Sequence, residues 1–490
     1  AYSLRSLTGG DPQVVRVRRA SDNGERDFTS SEINSGEMVS WVNQQVIAPL
    51  DIQALEADGR TGDFLIAKAA YSLRSLGTRQ ATLAATGDTV ARADGKFVVQ
   101  VRRSSDDALK SFTADEITDG TLLAFVNEDV TIYQSDYSAD ANGWSGSTSS
   151  PTGNHDGVSD SAGTSKDNVL KLVKQADSQG YMQRDQGVVA GLTYTVSGSF
   201  FAPASNTAVD GIAIKDGVAG SGLSDYPSGY LTSDGTWTDF SFSYTATASG
   251  LQRVNFGISS LGSNPTSSST GSTGDIVYIS DLKFVQTTSN GFVKTWYDQS
   301  VTNEAGDTAT GNHAVQATAA RQPKIVSAGS LLADGIDFDG TDNRLATTSA
   351  ISSTNVAIAV VSKSDVNGTG AIFSMLDGFN DGHEVLYLAN NVRYALEDSD
   401  LDVSSTPTNK NLYFANYDGS TQAISINGTN NTQSVSKTVD TITSVSQIGS
   451  RQGSNVLNGS IEELIVYTSD QSANRTAIEA NIGEAYSITG

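Results

Sequence analysis

From about residue 131 onward the chain alternates with period two. Thr193-Tyr194-Thr195-Val196-Ser197-Gly198-Ser199-Phe200-Phe201 and Phe240-Ser241-Phe242-Ser243-Tyr244-Thr245 set apolar and hydroxyl side chains on opposite sides. This is the pattern of antiparallel strands that bury one face. Clusters of Gly, Ser, Asn and Asp separate the runs, and Ser145–Ser150 and Ser259–Gly274 read as surface loops. Six to ten such strands across 131–287 predict a jelly-roll β-sandwich. A second set follows in 288–490. Its strands are predicted at Ile336–Gly340, Val356–Val361, Ala371–Phe373, Glu384–Leu388, Leu412–Tyr417, Ala423–Ile426 and Ser460–Tyr467, with a closing helix over Ser472–Tyr486.

The first 130 residues contain a duplication. Ala1-Tyr2-Ser3-Leu4-Arg5-Ser6-Leu7 recurs unchanged as Ala70-Tyr71-Ser72-Leu73-Arg74-Ser75-Leu76. Val17-Arg18-Arg19 recurs as Val101-Arg102-Arg103, Phe28-Thr29 as Phe112-Thr113, Glu32-Ile33 as Glu116-Ile117, and Trp41-Val42-Asn43 as Phe125-Val126-Asn127. The offset grows from 69 to 84 positions, so the second copy carries an insertion between Leu76 and Val98. The copies occupy 1–58 and 59–130. In the second, apolar spacing predicts a helix over Asp63–Leu76, then a strand Phe97–Arg103 and a turn at Ser104–Asp107. Thr113–Glu116 should cap a helix that ends near Val126. The plainer reading of Arg102 and Arg103 is internal pairing with Asp106, Asp107, Asp115 or Glu116 rather than anion binding. The first copy lacks the upstream part of that helix and the chain opens on Ala, which suggests a longer or processed protein. The expected fold class is thus mainly β: tandem jelly-roll sandwiches, with a few short helices in the N-terminal duplicated segments.

Composition narrows the chemistry. A 490-residue chain suggests about three domains. The net charge of −24 disfavours nucleic-acid backbones. With no cysteine there is no disulfide, thiolate metal site or thiol catalysis, and three histidines make a His-rich metal site untenable. No apolar run is long enough to cross a bilayer, and no signal peptide is visible. Asp337-x-Asp339-Gly340-x-Asp342 spaces three carboxylates in a Gly-containing turn and leaves Ca²⁺ as the one candidate ion.

Several segments resemble known families. Asn168–Leu172, Trp237–Phe242, Arg253–Gly257 and Asp275–Leu282 resemble the carbohydrate-binding β-sandwich modules attached to polysaccharide-degrading enzymes. Aromatic faces stack on sugar rings, so Trp144, Tyr181, Tyr226 and Tyr230 are the candidate platform, with Trp237 assigned to the core. The C-terminal strand order resembles the concanavalin A-like, or laminin-G-like, sandwich. Phe292-Val293-Lys294-Thr295-Trp296-Tyr297-Asp298-Gln299-Ser300, Gly311-Asn312-His313-Ala314 and Gln322-Pro323-Lys324-Ile325-Val326 resemble the opening of the catalytic sandwich of family 54 α-L-arabinofuranosidases. The duplicated segment resembles that family's N-terminal stretch, and the same combination resembles bacteriophage tail-fibre and other appendage proteins. In such relatives a segment like Phe125-Val126-Asn127 runs almost directly into one like Phe292–Ser300. The resemblance therefore implies that the middle sandwich is inserted, and that residues about 60–130 pack on 288–490.

The resemblance also implies a glycosidase-like site with a defect. Gly382-His383-Glu384-Val385-Leu386-Tyr387 matches the nucleophile strand and makes Glu384 the vestigial nucleophile. The turn that should supply the acid reads Ile448-Gly449-Ser450-Arg451, and a guanidinium donates no proton near neutral pH. Glycosidases need two carboxyl groups across the scissile bond. The expectation is therefore a non-enzymatic recognition protein at a virion surface, a phage tail or capsid fibre. It would bind cell-surface glycans and other virion proteins and act as a homo-oligomer, without nucleic acid or membrane insertion. An extracellular arabinofuranosidase-type hydrolase, its binding module, and a bacterial surface adhesin remain alternatives. A second acidic group facing Glu384 across a shared cleft would overturn the inert-scaffold expectation and put a working hydrolase in its place.

Overall fold

The computed structural model describes residues 13–18, 25–34, 38, 67–74, 76, 81–82, 89–90, 97–137, 142–146, 154–156, 166, 169–173, 181–207, 211–218, 224–225, 231–233, 235–259, 272–300, 311–378 and 381–488. Strands dominate, and every named pairing is antiparallel. The mainly β, sandwich-built class is what the alternation predicts.

Among the described residues the middle sandwich has two six-stranded sheets. One runs Asn154–Asp156, Val169–Val173, Ile276–Gln286, Thr193–Phe201, Thr238–Thr245, with Val130–Gln134 also on Ile276–Gln286. The other runs Ser224–Asp225, Gly211–Val218, Gly250–Ser259, Tyr181–Val188, Ser145–Gly146, with Leu231–Thr232 on Gly211–Val218. Thr238–Thr245 shows why. Phe240, Phe242 and Tyr244 point inward, and the residues between them are exposed or half-buried. They meet Tyr194, Val196, Val254 and Phe256 in one apolar layer.

The C-terminal sandwich has a front and a back layer. The back runs Thr429–Ser434, Thr421–Ile426, Asn411–Tyr417, Val356–Ser364, Asn458–Tyr467. Ala67–Ser72 and Ile336–Asp339 lie end to end along the far side of Asn458–Tyr467. The front runs Ser399–Ser404, Asn391–Leu396, Gly382–Leu388, Gly370–Leu376, Gln447–Ile448, Leu345–Thr347, Ala314–Val315. Strand Gly291–Trp296 joins the layers and pairs with Phe97–Arg103.

The second N-terminal copy is therefore built into this sandwich. Tyr71, Val99, Val101, Phe112 and Val126 share one core with Trp296, Phe338, Tyr387 and Leu464. Asp298 accepts the Ala70 N–H (2.9 Å), and Gln299 spans the next turn. Its amide donates to the carbonyls of Ser72 (2.9 Å) and Arg74 (3.1 Å) and accepts from Leu76 N–H (2.9 Å). Arg74 forms a two-pronged pair with the buried Glu463 (2.6 and 2.9 Å), which also accepts from Ser72 (2.9 Å) and Tyr486 (3.0 Å). The chain leaves this body at Asn127 and re-enters near Ser289. The Asn127 side chain accepts from Ser289 N–H (3.2 Å) and donates to the Gly329 carbonyl (2.9 Å), so both crossing points sit together.

Two local expectations change. The segment read as a helix over 63–76 is, where described, the strand Ala67–Ser72. Residues 63–66 lie outside the described residues. Ala69 and Tyr71 face the main core, while Ala70 faces the closing helix Arg475–Tyr486. A strand buried on both faces loses its polar alternation and imitates a helix. The single helix expected up to Val126 is two, Ala114–Thr118 and Thr121–Val126, broken at Gly120 in the left-handed region (φ 88°). Thr113 and Glu116 form the predicted capping box. Arg103 pairs with Asp106 (2.7 Å) and Glu128, and Arg102 with Asp107 (2.7 Å). Glu116 is taken up by the cap, and among the described residues no bond joins Asp115 to either arginine.

Breaking a buried pair from one side strands the other charge, at a cost of about 3–5 kcal/mol. Arg74→Ala should lower the unfolding free energy by that amount in urea denaturation. Arg74→Met with Glu463→Leu should recover most of it. An equal loss in both variants would mean that packing, not charge, holds this strand.

Candidate functional site

The outer face of the front layer carries the site. On Gly382–Leu388 the side chains of His383, Val385 and Tyr387 turn toward the core side, and those of Glu384 and Leu386 turn outward. Across the sheet Glu384 stands opposite Ala395, and Ala395 opposite Asp400. Arg393 shares Ala395's face two residues away. The small Ala395 leaves a hollow of about 120 Å³, lined by Leu376, Gly382, Arg393, Ala395, Glu397, Asp400 and Arg451.

Glu384 lies beneath this cleft and is fully buried. Arg451 covers it: Nε donates to Oε2 (2.7 Å), and a terminal nitrogen donates to the same oxygen. Among the described residues Oε1 has no hydrogen-bond donor. Burial pushes the Glu384 carboxyl above its ordinary value, and Arg451 pulls against that. The turn that aims Arg451 is pinned from both sides. Ser374 Oγ donates to the Ser450 carbonyl (2.9 Å), and the Gln452 amide donates to the Leu376 carbonyl (2.9 Å). The Arg451 position expected for the acid is thus brought directly onto Glu384.

The sequence reading missed the other wall. Arg393 makes a two-pronged pair with Asp402 (2.6 and 2.8 Å) and reaches Asp400 (2.5 Å). Glu397 accepts the Gly382 N–H (2.9 Å), and burial raises its carboxyl above the ordinary value. Gly382 sits at φ 111°, and a Cβ there would lie 2.1 Å from the Met375 carbonyl oxygen, so no other residue fits this edge of the cleft. Two further carboxyl groups, Glu397 and Asp400, therefore line the cleft above Glu384. Arg393-Tyr394-Ala395 followed by Asp400-Leu401-Asp402 around a short turn was the signal for this charged hairpin.

Other candidate residues lie elsewhere. Trp144 is no exposed platform. It is buried in the middle sandwich, 5.0 Å from the Phe256 ring, with Nε1 donating to Tyr133 Oη (3.1 Å). Its neighbours in the chain are polar, but the sheet folds over it. Tyr181 begins the strand Tyr181–Val188, and its side chain lies outside the described residues, as do Tyr226 and Tyr230 entirely. Trp237 is half-buried beside the Phe201 ring (5.6 Å), with Lys166 Nζ 5.0 Å above it. It belongs to a satellite cluster rather than the main core.

Among the described residues, Asp337, Asp339 and Asp342 are engaged separately rather than gathered into one cluster. Asp339 Oδ1 caps the turn by accepting N–H groups of Thr341, Asp342 and Asn343 (2.9–3.3 Å), and Asp342 pairs with Arg321 (3.5 Å). Burial raises the Asp337 carboxyl, with Asp365 adding to it. Among the described residues no three acidic or histidine side chains are close enough to hold a metal ion.

No protein-family model and no curated protein matches the chain. Among solved structures, the CBM22-1 xylan-binding domain from Paenibacillus barcinonensis Xyn10C is similar over 32 % of this chain and 96 % of its own, at 7 % identity and TM-score 0.25. The tandem CBM22-1–CBM22-2 domain of the same protein is similar over 69 % of this chain and 95 % of its own, at 9 % identity and TM-score 0.27. The receptor binding domain of botulinum neurotoxin mosaic serotype C/D is similar over 30 % of this chain and 41 % of its own, at 10 % identity and TM-score 0.25. The chain thus spans less than half of the toxin domain's length. Likeness at this level carries no argument about function.

His383, behind Glu384, gives the site a pH signature. Its ring is buried against Tyr394, with Nδ1 2.8 Å from Tyr394 Oη, and burial lowers its pKa from 6.5 to about 4. The unfolded chain takes up this proton below pH 6.5 while the folded chain does not until about 4. Stability from this group is therefore full above pH 6.5 and falls between 6.5 and 4, by about 3 kcal/mol in total. Denaturation across pH 7 to 4 should show this slope, and His383→Gln should remove it. An unchanged slope in that variant would place the titration elsewhere.

Proposed function

We propose that this chain is a non-catalytic recognition protein whose front cleft binds a terminal sugar of a surface glycan. The observation that carries this reading is the Arg451–Glu384 pair. The carboxylate in the nucleophile's place is buried under a guanidinium, which shields it from an incoming anomeric carbon. Around the cleft, Arg393, Asp400 and Glu397 offer charged donors and acceptors at fixed angles. Such groups suit the vicinal hydroxyls of a sugar, because charge-assisted bonds are directional and strong. The hollow is smaller than enclosed ligand sites of about 300–1,000 Å³, which favours one sugar unit over a chain.

The setting we propose is a virion appendage, a tail or capsid fibre. It rests on the resemblance of the Tyr-Ser-Leu-Arg and Trp-Tyr-Asp-Gln segments to such proteins. Cysteine-free β cores and a strongly negative surface suit an extracellular particle. Weak single sites gain avidity when an assembly presents several copies.

The hydrolase reading also has an observation in its favour: Glu397 and Asp400 line the cleft above Glu384, and burial biases Glu397 toward its protonated form. A glycan array and an aryl arabinofuranoside assay separate the two readings. Binding should fall about 10–100-fold in Arg393→Ala, the cost of one or two charged hydrogen bonds, and also in Ala395→Leu, which fills the hollow. No turnover is expected above background. Turnover abolished by Glu384→Gln or Glu397→Gln would overturn the recognition reading and establish the enzyme.

A further inference from the structure

The charges around the front cleft do not balance. Glu397 and Asp400 line the hollow, Glu384 lies beneath it, and Asp402 stands behind Arg393; against these four carboxylates are two guanidiniums, Arg393 and Arg451. Both guanidiniums are already committed. Arg451 donates from two nitrogens to Glu384 Oε2, and Arg393 is shared between Asp402 (2.6 and 2.8 Å) and Asp400 (2.5 Å). Two carboxylate positions are left over. Glu397 accepts the backbone N–H groups of Gly382 (2.9 Å) and Asp440 (3.4 Å), and among the described residues no lysine, arginine or histidine pairs with it. Glu384 Oε1, in a fully buried side chain, has no donor among the described residues.

The surroundings make this excess of negative charge costly. Burial raises the Glu397 carboxyl above its ordinary value, and Asp381 and Asp440 add to it. Burial also raises Glu384, against the pull of Arg451, with Asp400 adding to the rise. A carboxylate in a partly closed hollow gains more from a cation than one in open water, because the lower effective dielectric strengthens the attraction. Sheet register sets the carboxylates apart. Glu384 lies opposite Ala395 and Ala395 opposite Asp400, so Glu384 and Asp400 stand two strand spacings apart, about 10 Å at the backbone. A metal ion needs its oxygens within about 2.6 Å, and among the described residues no three acidic or histidine side chains are close enough to share one. A ligand that carries its charge on one arm and hydroxyls on the others suits such a spacing.

We propose that the sugar taken by this cleft is an amino sugar with a free amine, its ammonium held by Glu397 and its hydroxyls facing Arg393 and Asp400. The inference deepens the glycan reading of the cleft and rests on it. The ammonium supplies three N–H donors and the positive charge that the cleft lacks. N-acetylation removes that charge and leaves Glu397 without a cation. A uronic acid sets a carboxylate beside Glu397 where both guanidiniums are engaged, and like charges placed together repel. The cleft therefore sorts sugars by charge: amine over neutral, neutral over acidic.

The test is a glycan array at about 0.15 M salt, where exposed charges are screened beyond about 8 Å. It carries hexosamines as free amines, the same spots N-acetylated in place, neutral hexoses, uronic acids, and a simple alkylamine as the charge-only control. Free-amine hexosamines should be bound about 10–100-fold more tightly than neutral hexoses, the worth of one charge-assisted bond. N-acetylation should remove that gain. The gain should shrink about tenfold in Glu397→Gln, which keeps an oxygen for the Gly382 N–H, and should also shrink in Asp400→Asn. Ala395→Leu, which fills the hollow, should abolish it. Amine binding that survives Ala395→Leu, or that the alkylamine matches, comes from the net charge of −24 alone and would overturn the inference. Neutral hexoses bound as tightly as the free amines would overturn it too, while leaving the glycan reading in place. Binding to no sugar of any class would overturn both.

Discussion

The C-terminal sandwich holds together by clamping a strand that precedes it by more than two hundred residues. Asp298 and Gln299 bond the backbone of Ala70–Leu76, and Glu463 neutralises Arg74 in a site closed to water. A buried Glu without its guanidinium partner would carry a large desolvation cost, so the layer containing Asn458–Tyr467 requires that strand. Two sequence signals, Tyr-Ser-Leu-Arg and Trp-Tyr-Asp-Gln, are thus the two sides of a single interface. Asn127 and Ser289 meet at its edge. The whole middle sandwich leaves and returns through that one point, which lets it vary without disturbing the clamp.

The same logic shapes the cleft. The outer face of the front layer lies away from the main core and holds only a small apolar cluster of Ala371, Leu386 and Ala395, so it has room for charge. Glu384, Arg393, Asp400 and Asp402 use that room, and Ala395 supplies the space between them. Each arginine is committed to a carboxylate, which fixes side chains that would otherwise sample many rotamers. Preorganised polar groups of this kind favour binding, because their ordering cost is met during folding. The Arg451 turn, held by Ser374 and Gln452, fixes the guanidinium in an ion pair with Glu384.

Much of the architecture was legible in the residues. Alternation marked Thr193–Phe201 and Thr238–Thr245 as half-buried strands, and the Thr113–Glu116 spacing marked a capping box. These signals are local, since each depends on neighbours a few positions away. Resemblance singled out Glu384 as a vestigial nucleophile and Arg451 as a lost proton donor; that the two pair with each other appears only in the structure. Ala67–Ser72 was misread because both of its faces are buried. Trp144 was misread because nothing beside it in the chain shows that Tyr133 and Phe256 will enclose it.

The sequence by itself determined the class of structure, the duplication, the absence of thiol chemistry and the residues able to carry charge, since composition and periodicity act at short range. Only the tertiary structure decided which charges meet. Arg393 and Asp400 line one hollow with Arg451, and Asp337, Asp339 and Asp342 form no cluster, because sheet register and turn geometry place side chains that sequence distance does not relate. Coulomb energy depends on separations and burial that exist only once the layers have packed.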